Sequence, residues 1–283
     1  MVPIDTRTTI RSLAGKALAC RLRGQYHEAE ALYVNALEIA EQALEETDPQ
    51  LASLSNDVAV LYKYTGRFDV ARRLYLRALK VFKRYSKAEP LTLAMAYHNL
   101  GGLEHARGRY KRAEAFARRS VVIREKVIGP NHPETAADLS ALAAILEGQQ
   151  RYDEAERLYR RSLAIFERTF GPDHYEIAVN LNNLATLSHS TGRTDEAEKL
   201  YRRSLAMKEK LLGSEHPDVA ITLNNMAALC RAENRLDEAA SLYRRSLYIF
   251  KKVLDPNHPN LVACAANYGR LLAFNATVPS SRA

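Results

Sequence analysis

The sequence repeats itself every 42 residues, and this period limits the possible folds more than any other feature. Segments related to YDEAERLYRRSL, TDEAEKLYRRSL and LDEAASLYRRSL begin at Tyr26, Phe68, Tyr110, Tyr152, Thr194 and Leu236. One alanine recurs in every copy, at Ala29, Ala71, Ala113, Ala155, Ala197 and Ala239. A period that holds six times without an insertion predicts a stack of similar units that bury their apolar surface against their neighbours.

Each copy of the repeat has the pattern of two helices. Apolar residues around the recurring alanine trace one stripe of a helix, which we call helix B, and a second apolar stripe before it defines helix A. A glycine or Asn234 stands two residues before helix B, where a left-handed cap suits it, whereas Gln150 at the same place is a departure that the sequence does not explain. Prolines such as Pro133 can open helix A. The predicted layout is an N-terminal extension 1–9, hairpins over 10–274 with helix B near 26, 68, 110, 152, 194 and 236, a capping helix 261–274, and a disordered tail 275–283.

The recurring motifs LNNLA, EAExLYRRSL and GPxHP resemble tetratricopeptide repeats of the 42-residue kinesin-light-chain type, over residues 10–274. The resemblance implies an all-α fold, a right-handed superhelical solenoid of antiparallel helix pairs with six repeats plus a capping helix. It also implies a non-catalytic interaction module or scaffold that binds a peptide segment of a partner protein in a concave groove lined by helix A. Two residues depart from the pattern, because Ala117 replaces a tyrosine of helix B and Ala141 replaces the asparagine of LNNLA. No heptad-rich segment like that of kinesin light chains is present, which argues against a motor-adaptor role.

Helix A has a second, polar face on which asparagine recurs. Asparagine is a poor helix former, and its amide can both donate to and accept from an extended peptide backbone. The resemblance implies peptide contact for the second asparagine of LNNLA. The predicted groove residues are Asn56, Lys63, His98, Asn99, Asn182, Asn183, His189, Asn224, Asn225, Arg231, Asn267 and Arg270. The alternative is that these asparagines bond to neighbouring helices and specify the stacking.

The location and charge of the ligand follow from the same face. The interruption at Ala141 leaves the fifth and sixth repeats as its longest continuous part, so we expect the ligand towards the C-terminal half. One helical turn further on stands a row of mostly cationic residues, at Arg21, Lys63, His105, Glu147, His189 and Arg231. Such a row favours an acidic peptide or a C-terminal carboxylate. The alternative is a set of solvated charges without a ligand. Whether the bound segment is extended or helical stays open.

Two other functions compete with peptide binding. The arginine pairs on helix B, at 160–161, 202–203 and 244–245, could bind phosphates on the convex side, with acids such as Glu154, Glu196 or Glu238 as their alternative partners. No aromatic stacking platform accompanies them, so nucleic acid is the less favoured partner. The chain could also assemble with its own copies as a regulatory module, and its oligomeric state stays open. A net charge of +8 permits acidic partners without identifying one.

The remaining motifs argue against catalysis, metals and membranes. Histidines recur once per loop, at His132, His174, His216 and His258, which predicts loop-packing or capping residues rather than one metal site. No nucleophile elbow, phosphate loop, HExxH or CxxC motif occurs, so we expect no enzyme activity and no cofactor. The three scattered cysteines indicate a reducing compartment. Without a secretory signal or an apolar run of about 18 residues, the expected location is cytoplasmic.

Overall fold

A computed structural model describes residues 4–277, with side chains for residues 5–274. The helices form two compact units, unit 1 (residues 1–169) and unit 2 (residues 170–283). Unit 1 contains α1 (Ile4–Leu22), α2 (Tyr26–Ala43), α3 (Pro49–Tyr64), α4 (Phe68–Arg84), α5 (Pro90–Ala106), α6 (Tyr110–Val127), α7 (Pro133–Gly148) and α8 (Tyr152–Phe170), whose last residue begins unit 2. Unit 2 continues with α9 (Tyr175–Ser190), α10 (Thr194–Leu212), α11 (Pro217–Ala232), α12 (Leu236–Val253) and α13 (Pro259–Thr277). Residues 4–277 contain no strand, and the predicted all-α fold of six helical hairpins and one further helix is confirmed.

The two ends of the chain differ from the predicted boundaries. Because α1 begins at Ile4, residues 4–9 belong to the first helix instead of a separate extension. The last helix begins at Pro259, two residues earlier than predicted, where His258 Nδ1 accepts a hydrogen bond from the Asn260 N–H at 3.0 Å. It continues to Thr277, so the segment expected to be disordered overlaps the helix at 275–277. Residues 1–3 and 278–283 lie outside the described part of the chain.

The turn between helix A and helix B has a left-handed residue in every hairpin. Glycines provide it four times, with φ between 69° and 78°, and Gln150 and Asn234 provide it with φ of 62° and 60°. The same backbone hydrogen bond closes both kinds of turn, from Arg151 N–H to Leu146 O at 2.9 Å and from Arg193 N–H to Ser188 O at 2.8 Å. The turn therefore imposes on Gln150 a conformation that costs glycine almost nothing and costs a residue with a Cβ about 1–2 kcal/mol.

The recurring alanines mark the closest approach of the two helices of a hairpin. All six have an exposed fraction of 0 %. In the third hairpin, a Cβ added to Gly101 would lie 3.4 Å from the Ala113 carbonyl oxygen and 3.4 Å from the Ala117 amide nitrogen. The departure at Ala117 thus accompanies a glycine that lets the backbones of α5 and α6 come close together.

One buried position of helix B holds alanine in the first hairpin and phenylalanine or a cation in the other five. Its occupants are Ala40, Phe82, Arg124, Phe166, Lys208 and Phe250, and each is at most 8 % exposed. The Arg124 Nη1 lies 2.5 Å from the Asp138 Oδ1, and the side chain of that aspartate is fully buried. The Lys208 Nζ instead donates to two neutral oxygens, the Thr222 hydroxyl at 3.0 Å and the Asp218 carbonyl at 3.3 Å. A single repeat position therefore accommodates apolar packing, a buried ion pair and a buried ammonium without a carboxylate partner.

Candidate ligand-binding face

The predicted asparagines of unit 1 bond to each other across neighbouring hairpins. The Asn99 Nδ2 on α5 donates to the Asn56 Oδ1 on α3 at 2.9 Å, and Asn56 is 1 % exposed. The Asn56 Nδ2 lies 3.5 Å from the Asp57 carboxylate. The Asn56 amide is therefore bonded within the protein. This agrees with the alternative that the asparagines bond to neighbouring helices and specify the stacking.

Unit 2 repeats this bond between α11 and α13. The Asn267 Nδ2 donates to the Asn224 Oδ1 at 3.4 Å, and the Asn224 Nδ2 donates to the Asn225 Oδ1, also at 3.4 Å. Both inter-hairpin bonds join residues 43 positions apart, so the second asparagine of one motif meets the first of the motif before it. A structural role of the asparagines is therefore shown for Asn56, Asn99, Asn224 and Asn267.

The asparagines of α9 differ from those of the other helices. The Asn182 Oδ1 is buried and has no hydrogen-bond partner among the described residues, although the two equivalent oxygens, on Asn56 and Asn224, each accept a bond from the next hairpin. Asn183 is half-buried and makes no side-chain hydrogen bond within residues 5–274. A buried amide oxygen without a partner is costly, so α9 lacks a stabilising bond that α3 and α11 have.

His98 belongs to an internal hydrogen-bond network, and about a third of its side chain is exposed. Its Nδ1 lies 2.6 Å from the Asp138 Oδ1, and the Asp138 carboxylate also accepts hydrogen bonds from Ser120 and Arg124. The groove role of His98 therefore stays a prediction, and the structure adds an internal partner for its Nδ1. The sequence pattern could not show this, because Asp138 occupies a position that holds Ala96 one repeat earlier.

Unit 1 contains cations that lack a carboxylate. Lys63 is half-buried, and burial together with the nearby Arg21 lowers its pKa to about 8. Its Nζ lies 5.3 Å from the centre of the Tyr64 ring and 3.3 Å from the place that a Cβ on Gly102 would occupy. Burial and the charge of Lys63 also lower the pKa of His105. In the described part of the chain Lys63 makes no ion pair, and the buried Arg21 Nε has no hydrogen-bond partner.

Acidic groups interrupt this row of cations at two points. Burial raises the pKa of Asp57, although hydrogen bonding from Asn56 and the charge of Arg21 act in the opposite direction. Burial also raises the pKa of Glu147 to about 7, and a hydrogen bond from the Tyr159 hydroxyl at 3.1 Å partly offsets this effect. Both carboxyl groups thus bind protons more readily than exposed carboxyl groups do. A protonated carboxyl group competes less with an acidic ligand for the nearby cations.

The cations of unit 2 are more accessible. Arg231 and Arg270 are exposed, and Arg270 donates to the Asn267 Oδ1 at 2.6 Å. Burial lowers the pKa of the half-buried His189, Glu233 opposes this shift, and Arg231 adds to it. The imidazole is therefore biased towards its neutral form, in which it both donates and accepts hydrogen bonds.

The arginine pairs on helix B form ion pairs with acids of helix B. Arg160 pairs with Glu156 at 2.7 Å and Arg202 pairs with Glu198 at 2.6 Å, each across one helical turn. Further partners of these pairs are Glu125 for Arg161, Glu238 for Arg202 and Glu209 for Arg245. Of the three acids predicted as partners, Glu154 pairs with Arg151 and not with an arginine pair. These arginine pairs are largely neutralised and offer little free charge to a phosphate.

The loop histidines cap the helices that follow them. The Nδ1 of His132 accepts a hydrogen bond from the Glu134 N–H at 3.2 Å, and equivalent bonds form at His174, His216 and His258. The predicted capping role is confirmed. Among the described residues no group of three or more His, Cys, Asp or Glu side chains is placed to hold a metal ion. Within residues 4–277, no helix has both the length and the apolar character that a bilayer crossing requires.

Comparison with known families finds the same repeat along most of the chain. The sequence model of the tetratricopeptide repeat matches residues 8–84, 92–167, 137–210, 176–252 and 218–275. No curated protein matches the chain.

Several solved structures resemble the fold at low sequence identity. A Podosopora anserina putative kinesin light chain with nearly identical TPR-like repeats shares 22% identity and a TM-score of 0.55, over 72% of this chain and 97% of that one. BtubC (BKLC) from P. vanneervenii shares 22% identity and a TM-score of 0.53, over 99% and 96%. A Rap protein complexed with Competence and Sporulation Factor shares 16% identity and a TM-score of 0.61, over 93% and 74%.

Proposed function

We propose that this chain, which belongs to the tetratricopeptide repeat family, is an interaction module that holds an acidic segment of a partner protein against the polar face of helix A. Half-buried Lys63 is the observation that carries this proposal. Its pKa falls to about 8 because burial and the nearby charge of Arg21 disfavour the ammonium, and no carboxylate pairs with it among the described residues. A ligand carboxylate at this place would restore the ion pair that the chain itself does not provide.

Asn183 of α9 supports the same function from unit 2. The half-buried Asn183 amide has no hydrogen bond among the described residues and can bond to a ligand backbone. Lys63 lies in unit 1 and Asn183 lies in unit 2, so each unit offers a polar contact of its own. The Rap protein of similar fold is complexed with Competence and Sporulation Factor, so this fold can hold a ligand.

The proposal is tested with a panel of short peptides that differ only in Asp and Glu content, measured by fluorescence anisotropy against the full chain. We expect the acidic peptides to bind more tightly than the neutral ones. Replacing Lys63 by Met should weaken the best binder by about tenfold, the loss of one charge-assisted hydrogen bond. Lys199→Met on α10 removes an exposed ammonium and is the matched control.

The same measurement on Asn183→Ala tests the backbone contact. A melting curve for each variant separates a lost contact from a lost fold. Equal binding of acidic and neutral peptides would remove the acidic ligand from the proposal. Unchanged affinity in both Lys63→Met and Asn183→Ala, with both proteins folded, would remove the helix A face as the binding site.

A further inference from the structure

The positive charge of the chain is concentrated on two helices. α4 carries six basic residues and one acidic residue, and α6 carries six basic and two acidic residues. The net charge of these two helices is therefore +9, which exceeds the +8 of the whole chain. The preceding helix B, α2, has four glutamates and no Lys or Arg, whereas α8 has four basic and four acidic residues. The rest of the chain is therefore slightly acidic, and unit 1 has a strongly basic patch on α4 and α6.

The basic side chains lie opposite the core. α4 buries Ala71, Tyr75 and Phe82, which form one side of the helix. Arg73, Lys80 and Arg84 have spacings of seven and four residues, are exposed, and form the opposite side. The corresponding side of α6 carries three further exposed cations, Lys111, Arg112 and Lys126, with Lys126 one period after Arg84.

These exposed cations have no acidic partners. Within residues 5–274, no ion pair or side-chain hydrogen bond involves Arg73, Lys80, Lys83, Arg84, Lys87, Lys111, Arg112 or Lys126. The less exposed arginines of the same hairpins do form ion pairs: Arg67 with Glu30, Arg72 with Glu104, Arg77 with Glu41 and Arg107 with Asp69. Unpaired like charges on one surface repel each other, and a bound polyanion would relieve this repulsion.

The residues of this patch distinguish among polyanions. A bilayer surface is held by an apolar helix face in addition to charge. The exposed large apolar residues of α4 and α6 are Leu76, Val122 and Val127, which are scattered singly and form no such face. Protein interfaces have apolar centres that are depleted in lysine, which does not describe this patch. Single-stranded nucleic acid needs a row of exposed aromatic rings, and Tyr85, at 42 % exposed, is the one such ring on α4, α6 or the loop after α4. A double helix presents a regular array of phosphates on its outside, which exposed cations can bind without aromatic rings or an apolar centre.

We propose that the outer face of α4 and α6 binds the phosphate backbone of a double-helical nucleic acid without reading its base sequence. From Arg73 to Arg84 the helix rises about 16 Å, a length of duplex that carries about five phosphates on each strand. Contacts of lysine and arginine to phosphate position a protein on a duplex but do not select a sequence. This surface is distinct from the polar face of helix A, so the proposal is independent of the proposed peptide binding.

The test uses the full chain and labelled duplex DNA and duplex RNA of about 20 base pairs, with anisotropy measured at several salt concentrations from about 50 mM upwards. The variant Arg73→Gln/Lys80→Gln/Arg84→Gln removes three unpaired cations and keeps good helix formers. The control Lys199→Gln/Arg202→Gln/Lys210→Gln removes the same number of charges from α10, where Arg202 pairs with Glu198 and Lys210 with Asp173.

We expect the α4 variant to lose at least about tenfold in affinity, and the slope of log K against log salt to fall by about 0.9 per lost phosphate contact. The α10 control should bind nearly as tightly as the unmodified chain. No duplex binding at low salt, or an equal loss in the control, would overturn the proposal. It would also be overturned if phosphatidylserine vesicles bound and the duplexes did not, or if polyglutamate displaced the duplex at equal charge concentration.

Discussion

Arg124 in unit 1 and Lys208 in unit 2 occupy the same repeat position, two periods apart, and differ in what surrounds them. The buried guanidinium lies 2.5 Å from a fully buried carboxylate, Asp138. The buried ammonium donates to a hydroxyl and a carbonyl oxygen, and burial lowers its pKa to about 8, although Asp218 acts to raise it. The same repeat position therefore does not fix the free-energy cost of burying a cation. That cost depends on whether another helix provides a carboxylate.

The turn residues Gln150 and Asn234 extend this comparison to the backbone. Both have the left-handed conformation that glycine adopts in the other hairpins, with φ of 62° and 60°. Asparagine is found in this region more readily than glutamine. Each unit thus has one turn in which a residue other than glycine is left-handed. The conformational free energy that this costs depends on the side chain, although the turn is the same.

Removing the partnered cation should have the largest effect. Arg124→Phe leaves the Asp138 carboxylate buried without its cation, and we expect a loss of about 3–5 kcal/mol in the free energy of unfolding, measured in urea by circular dichroism. The double variant Arg124→Phe/Asp138→Ala copies the pair Phe82 and Ala96 of the preceding repeat and should recover most of this loss. A loss below about 1 kcal/mol in the single variant would contradict the network's role.

Removing the unpartnered cation should have the opposite sign. Lys208→Met exchanges a buried ammonium for an apolar chain of similar shape, and we expect a gain of about 1–2 kcal/mol at pH 7, because the loss of two hydrogen bonds offsets part of the relieved burial cost. Lys210→Met changes an exposed neighbour and should have almost no effect. A less stable Lys208→Met protein would show that the neutral oxygens fully compensate the ammonium.

The pH dependence sharpens the same comparison. Lys208 has a pKa of about 8 in the folded chain and 10.5 as its ordinary value, so between these pH values the unfolded chain binds more protons. The unmodified protein therefore becomes more stable as the pH rises from about 8 to about 10.5, and the advantage of Lys208→Met over it should fall by about 2–3 kcal/mol. Urea unfolding of both proteins at pH 7 and pH 10 measures this, since Lys63 titrates equally in both. A constant difference would mean that Lys208 does not titrate in this range.

The turn residues should give the smallest effects. Gln150→Gly relieves a left-handed glutamine and should stabilise the chain by about 1 kcal/mol, whereas Asn234→Gly should gain only a few tenths, since asparagine tolerates this conformation. Thermal melting of the two variants side by side tests the order. Equal gains would show that the cost lies in the turn itself and not in the side chain.

The 42-residue period predicts which polar residues of the candidate site share a helix face. It does not predict their hydrogen-bond partners. The asparagine positions and the row of cations on helix A follow from spacing, because residues three, four and seven apart share a helix face. The internal bonds of Asn56 and His98 were not predictable, since each depends on an atom of another hairpin. The unpaired Asn182 oxygen became apparent only when compared with Asn56 and Asn224, whose equivalent oxygens accept bonds.

The 42-residue period by itself determined the all-α fold, the helix pairs and the starts of each helix B, because local hydrogen bonding and apolar spacing specify a helical hairpin. Tertiary structure decided which polar groups are satisfied. It gave Arg124 a carboxylate and left Lys63 and Lys208 without one. It also left the exposed cations of the α4 and α6 patch unpaired, while Arg202 and Lys210 of α10 met acids. The physical reason is that helix formation depends on neighbours in the sequence, whereas the cost of a charge depends on atoms that only folding brings near it.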